Sequence, residues 1–130
     1  MRKPLAFLVV LALSSYLQAV AQQTIVKRCE AKTFPPRPYD NQPIPEQLRI
    51  PGAPKTARRV GCFTSFNKTS TMVDVVRKCG IPDKHEGSGV YIFVYYMTDC
   101  SMVSVGTPDL RWLGISHVET GKTTVLLSNR

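Results

Sequence analysis

Thr71-Met72-Val73-Asp74-Val75-Val76-Arg77-Lys78-Cys79-Gly80-Ile81-Pro82 and, one loop later, Val90-Tyr91-Ile92-Phe93-Val94-Tyr95-Tyr96-Met97 are the two runs that decide the fold. In the first, Met72, Val75, Val76 and Cys79 recur at the i, i+3, i+4, i+7 spacing of one buried helical face. The spacing predicts a helix from Ser70 to Lys78. Ser70 or Thr71 can cap its start, and Thr71 with Asp74 makes a short capping box. Gly80 suits the left-handed position after the helix, and Pro82 prevents continuation. The second run is β-branched and aromatic, bounded by Gly87-Ser88-Gly89 and Asp99, and reads as a strand.

Further elements follow on either side. Cys62 to Phe66 allows a short helical turn before the helix. Met102 to Val105, Leu110 to Val118 and Thr123 to Leu127 read as three more strands, separated by turns at Thr107-Pro108-Asp109 and Thr120-Gly121. Short connections favour an antiparallel meander, with the helix covering one face. Alternation along the first strand puts Val90, Ile92, Val94 and Tyr96 on one side and Tyr91, Phe93, Tyr95 and Met97 on the other. Only one face has to meet the helix, and the aliphatic set fits that contact. Tyr91, Phe93 and Tyr95 are then a candidate binding face, unless a loop or the chain's own arm covers them.

The beginning of the chain reads as a secretory signal peptide. Arg2 and Lys3 precede the apolar stretch Leu5 to Leu13, and Ala19-Val20-Ala21 is a small-x-small site, so cleavage is expected after Ala21. The apolar run is shorter than the roughly 20 residues that span a bilayer. The sequence therefore divides into a signal peptide (1–21), a basic proline-rich arm (22–60) and a folded domain (61–130). Seven of the ten prolines fall between residues 33 and 55, where they preclude a central strand or a continuing helix. Eight basic residues against three acidic ones lie between Lys27 and Arg59, whereas the remainder is nearly neutral. Lys27, Arg28, Lys32, Arg37, Lys55, Arg58 and Arg59 carry that excess.

Cys29, Cys62, Cys79 and Cys100 all lie in the exported part, an even number that predicts two disulfides with three possible connectivities. Their spacings contain no C-x-x-C pair, which argues against a metal site. No metal and no cofactor is expected.

Thr71-Met72-Val73-Asp74-Val75 followed by Gly80-Ile81-Pro82-Asp83 resembles the T-x-x-[DEQ]-V…G-x-P signature of SmpA/OmlA-type envelope proteins, whose general architecture the β-lactamase inhibitor proteins share. The strand from Gly87 to Tyr95 and the hairpin Asp99-Cys100-Ser101 look like small exported relatives with D-G-S at that turn. The resemblance covers residues 62–118 and implies helices on a curved antiparallel sheet, with protein binding rather than catalysis as the usual work. The expected class is α+β: one or two short helices packed on a curved three- to four-stranded meander, with a proline-rich N-terminal arm. Three departures stand out. Thr69 replaces the usual glycine before the helix, the lipobox cysteine is missing, and Cys100 occupies the turn glycine's position. Cys100 is therefore expected at positive φ. A crosslink to Cys79, which ends the helix on its buried face, would offset that strain, so Cys79–Cys100 and Cys29–Cys62 are the expected pairs.

Other motifs carry less. Gly121-Lys122-Thr123 lacks the glycine and the following helix of a phosphate loop. His85 sits in a polar loop expected to be solvated, and His117 alternates with Leu113 and Ile115 at a half-buried strand position, so no acid–base pair is expected. The expected function is a non-enzymatic, periplasmic or secreted module that binds another envelope or secreted protein through Tyr91, Phe93 and Tyr95. The alternative is a basic surface that binds anionic envelope polymer or lipid through the arm, separable by its sensitivity to salt. Nucleic acid is not an expected partner.

Overall fold

A computed structural model describes residues 22–29, 42–55, 59–87 and 89–129. The expected signal peptide, and Lys32, Arg37 and Arg58 of the basic arm, lie outside the described residues. The architecture is α+β. Residues 22–29 are helical (α1), and a second helix, α2, spans Met72–Cys79. Short 3-10 turns occur at Glu46–Leu48 and Val60–Phe63. Five strands, β1 (Lys84–Glu86), β2 (Tyr91–Tyr96), β3 (Met102–Thr107), β4 (Gly114–Glu119) and β5 (Lys122–Leu127), form an antiparallel meander in sequence order.

α2 starts where its cap places it. The Thr71 side chain accepts from the Asp74 amide, and the Thr71 amide donates to the Asp74 carboxylate at 2.8 Å, so both halves of the capping box are made. Gly80 at φ 96 ends the helix, a conformation that costs glycine little. The Met72 amide, one of the first-turn donors without an intrahelical partner, is satisfied by the Leu110 carbonyl at 2.9 Å.

The main core lies between α2 and one face of the sheet. The register aligns Phe93 with Val105 and Tyr95 with Val103, and Val105 with Ile115, so these side chains share that face. They pack with Leu48, Phe63, Met72, Val75 and Val76, all buried. Tyr95 illustrates the fit: its ring meets Phe63 at a centroid distance of 4.8 Å, and its hydroxyl donates to the Gly80 carbonyl at 2.9 Å. The opposite face carries a second, smaller core of Cys29, Val94 and Tyr96, edged by Ile25, Val26, Ile92 and Met102. α1 supplies its cover.

Several expectations are corrected here. The aromatic side of β2, not the aliphatic side, faces α2, and Phe93 and Tyr95 are fully buried. The large rings fill the deeper core formed by α2 and the 3-10 turns, while the aliphatic side is closed by α1, a helix hidden within the supposed arm. Leu110 to Leu113 is a loop rather than the start of β4, and β1 is an additional strand. The described prolines of the arm, Pro43, Pro45, Pro51 and Pro54, lie in a segment, 42–55, that seats Leu48 and Ala53 in the main core. His85, expected to be solvated, is buried on β1, with Nδ1 donating to the Pro43 carbonyl at 2.9 Å.

The disulfides pair Cys29 with Cys100 and Cys62 with Cys79. The expected Cys79–Cys100 and Cys29–Cys62 bonds are not formed because the two partners lie on opposite faces of the sheet. Cys79 belongs to the main core under α2, whereas Cys100 packs in the second core beside Cys29. Cys100 does take positive φ, 64°, at the β2–β3 turn. Two disulfides are the mark of an oxidising compartment outside the cytoplasm.

Two predictions test this arrangement. Peptide mapping without reduction should yield Cys29–Cys100 and Cys62–Cys79 fragments and no others. Phe93→Ala should lower stability by about 3–5 kcal/mol in denaturant unfolding, as for a fully buried ring. A change near zero would return Phe93 to the surface.

Candidate functional site

With Phe93 and Tyr95 enclosed, only Tyr91 of the expected aromatic face retains partial exposure, and it is already stacked on Phe93 and His85 at 5.7 and 5.4 Å. That face is a packing surface. Three other places bring polar or exposed apolar groups together.

The first is the end of the sheet formed by the β3–β4 loop. Trp112 is 61% exposed and Val90, at the start of β2, is 48% exposed. The pairing of Tyr91 with Thr107 sets Val90 beside Pro108, so both connections emerge at one end. The loop is firmly held. The Arg111 amide donates to the Asp109 carboxylate at 3.0 Å, the Thr107 hydroxyl donates to the Arg111 carbonyl, and the Leu110 carbonyl accepts from α2. Leu110 and Leu113 point into the main core while Arg111 and Trp112 stay outside it. Leu110 and Trp112 both take positive φ, 70° and 54°. Such backbone costs roughly 1–3 kcal/mol per residue and persists only when its surroundings enforce it. The sequence placed Trp112 within the expected strand Leu110 to Val118, so only its being the single tryptophan hinted at this site.

The second is a polar chain at the opposite end. The Ser101 hydroxyl donates to Asp99 at 2.6 Å, its amide donates to the same oxygen at 2.9 Å, and His117 Nε2 lies 2.8 Å from the hydroxyl. His117 Nδ1 is 3.8 Å from Glu119. A serine, a histidine and a carboxylate in line invite comparison with a nucleophile and its base. The proton assignment works against it. Ser101 has one hydroxyl proton, which Asp99 takes, so Nε2 must donate to the serine oxygen rather than accept from it. As arranged, the chain ties the β2–β3 turn to β4.

The third is an open groove of about 660 Å³ between α1, the 42–55 segment and the residues after α2. Val26, Ala53, Pro54, Ile81 and Pro82 supply its apolar wall, and Lys27 and Lys55 its cations. Asp83 is its one described carboxylate and is engaged by the Gln22 amide at 3.2 Å and the Tyr96 amide at 2.8 Å. Of the other basic residues proposed for the arm, Arg28 donates to the Thr98 carbonyl and Arg59 is exposed. The spacing of Gln22, Ile25, Val26 and Cys29 is the signal from which α1 was legible. Among the described residues, no group of histidine, cysteine and acidic side chains is arranged to hold a metal ion.

The hydroxyl and amide of Ser101, in that order, hold Asp99 below the usual carboxylate range. A carboxyl depressed on folding contributes stability above its unfolded value that is lost as pH falls through the folded one. Ser101→Ala should therefore raise the Asp99 titration midpoint toward the ordinary value in carboxyl-carbon NMR. An unmoved midpoint would show that the serine is not its main partner.

Comparison with protein-family models, curated proteins and solved structures found no match, so the likeness to SmpA/OmlA-type proteins rests on the motif residues themselves.

Proposed function

We propose that this protein is a non-enzymatic exported module, periplasmic or secreted, that binds another envelope or secreted protein through the end of its sheet. The observation that carries the proposal is Trp112, exposed on a positive-φ backbone that α2 and Asp109 hold in place. Tryptophan and arginine are enriched among the residues that dominate protein interfaces, and here they are neighbours at positions 111 and 112. A rigid loop loses little freedom on binding, so more of the contact energy appears as affinity. The resemblance to SmpA/OmlA-type proteins points to the same class of work. The donor role of His117 supports a structural rather than a catalytic reading of the polar chain.

The test is capture from envelope extract at high salt on immobilised mature protein and on its Trp112→Ala variant. The expected outcome is one protein retained by the parent and lost by the variant, with affinity for the purified partner falling at least about 30-fold, as for an interfacial anchor worth ~2 kcal/mol. The melting temperature of the variant should stay close to the parent's. Because Trp112 is the single tryptophan, its emission should shift to the blue when the purified partner binds. Equal retention by the variant would place the contact elsewhere.

A further inference from the structure

The groove beside α1 has a chemistry that the protein-binding surface does not use. Three separate stretches of sequence meet there. α1 contributes Val26 and Lys27, and the segment after the Glu46–Leu48 turn contributes Ala53, Pro54 and Lys55. The residues following α2, Ile81 and Pro82, close its floor. A neighbouring hollow of about 500 Å³ shares Ala53, Lys55 and Ile81 and adds Ile44, Ile50 and Pro51, so the apolar wall extends past Lys55.

The described lining is net positive. Among the described residues, neither Lys27 nor Lys55 has a carboxylate within ion-pair distance. Asp83 lines the groove as well and keeps its charge, since its donors from Gln22 and Tyr96 are neutral amides, so the described lining carries two cations against one anion. Arg49, on the rim of the neighbouring hollow, is paired with Glu46 at 3.7 Å. An apolar trough with two ammonium groups that no described carboxylate pairs is complementary to a molecule that is apolar along its length and anionic at one end. A purely ionic polymer would leave the isoleucine, valine and proline wall wet, and a neutral chain would leave the lysines unused. Both pieces are concave and lie in the size range of small-ligand sites rather than flat membrane-contact patches.

We infer that this groove binds a single-chain lipid monomer with a carboxylate head, the chain lying along Val26, Ala53 and Ile81 and the head between Lys27 and Lys55. The site is independent of Trp112. Cys29–Cys100 supports it indirectly, since that bond holds α1, and with it one wall, against the sheet.

Isothermal titration of the intact, oxidised protein with decanoate, kept below its aggregation concentration, tests the inference. The expected result is saturable one-to-one binding that weakens as salt rises and weakens at least about tenfold in Lys27→Glu/Lys55→Glu. The same charge-reversed variant should gain affinity for decyltrimethylammonium, a response that mere damage to the fold would not produce. Decanol and acetate should each bind much more weakly than decanoate, because each supplies half of the complementarity. Trp112→Ala should bind decanoate as the parent does. Absence of saturable binding to the parent, indifference of decanoate to the double substitution, or equal binding of decanol or of a glutamate-rich peptide would each overturn the inference.

Discussion

β2 has no face that water can be left to cover. Val94 and Tyr96 project from one side and Phe93 and Tyr95 from the other, and all four are buried. A strand of this kind has to be enclosed twice, and much of the remaining structure answers that demand. α2 and the two 3-10 turns close the aromatic side, and α1 closes the other. The Tyr95 hydroxyl, which would otherwise be an unsatisfied polar group in the core, is used to receive the end of α2 through the Gly80 carbonyl. The enclosure thus also sets where the helix stops relative to the sheet.

The two covers are held by different means. α2 is capped, packs against a broad core and is joined to the preceding turn by Cys62–Cys79 over 17 residues. α1 has a much smaller core beneath it and depends on Cys29–Cys100, which bridges 71 residues. In the chain-entropy picture the longer closure restricts the unfolded chain more, by roughly 1 kcal/mol over the shorter one. It also spans the positive-φ turn at Cys100, so the bond that secures α1 secures that turn as well. The polar chain from Asp99 through Ser101 to His117 adds a third tie at the same place. The end of the sheet near α1 is thus held by a disulfide, a small core and a polar chain together.

Such fastening shapes the two surfaces to which we assign binding. At the far end, the β3–β4 loop is braced by α2 and by its own hydrogen bonds, which lets Trp112 stand clear of the core without the loop collapsing over it. Beside α1, the groove exists because the helix is pinned at Cys29 while its other end leans on Asp83 through Gln22. A surface tryptophan and a cationic, apolar-walled groove are separate devices on one small scaffold. Neither uses the buried aromatic run that is the most conspicuous feature of the sequence.

Local chemistry was enough for α2, because the cap, the four-residue apolar spacing and the terminating glycine all lie within twelve consecutive residues. It was also enough for the meander, because short polar turns between alternating runs admit little other than antiparallel neighbours. The positive φ of Cys100 followed instead from the likeness to relatives with glycine at that turn. Alternation divides β2 into two faces but does not rank them, so which face meets α2 was not legible when both are apolar. The cover for the second face lies more than 60 residues away, where Ile25, Val26 and Cys29 carry a helical spacing overshadowed by the prolines that follow. The cysteine pairs followed from that choice of face, since a sulfur can reach only a partner on its own side of the sheet. Sequence alone determined α2, the four strands that follow it from β2 to β5, and their order, whereas α1 and β1 emerged only with the fold. Only the tertiary structure decided the sides, because a side is a property of what packs against it.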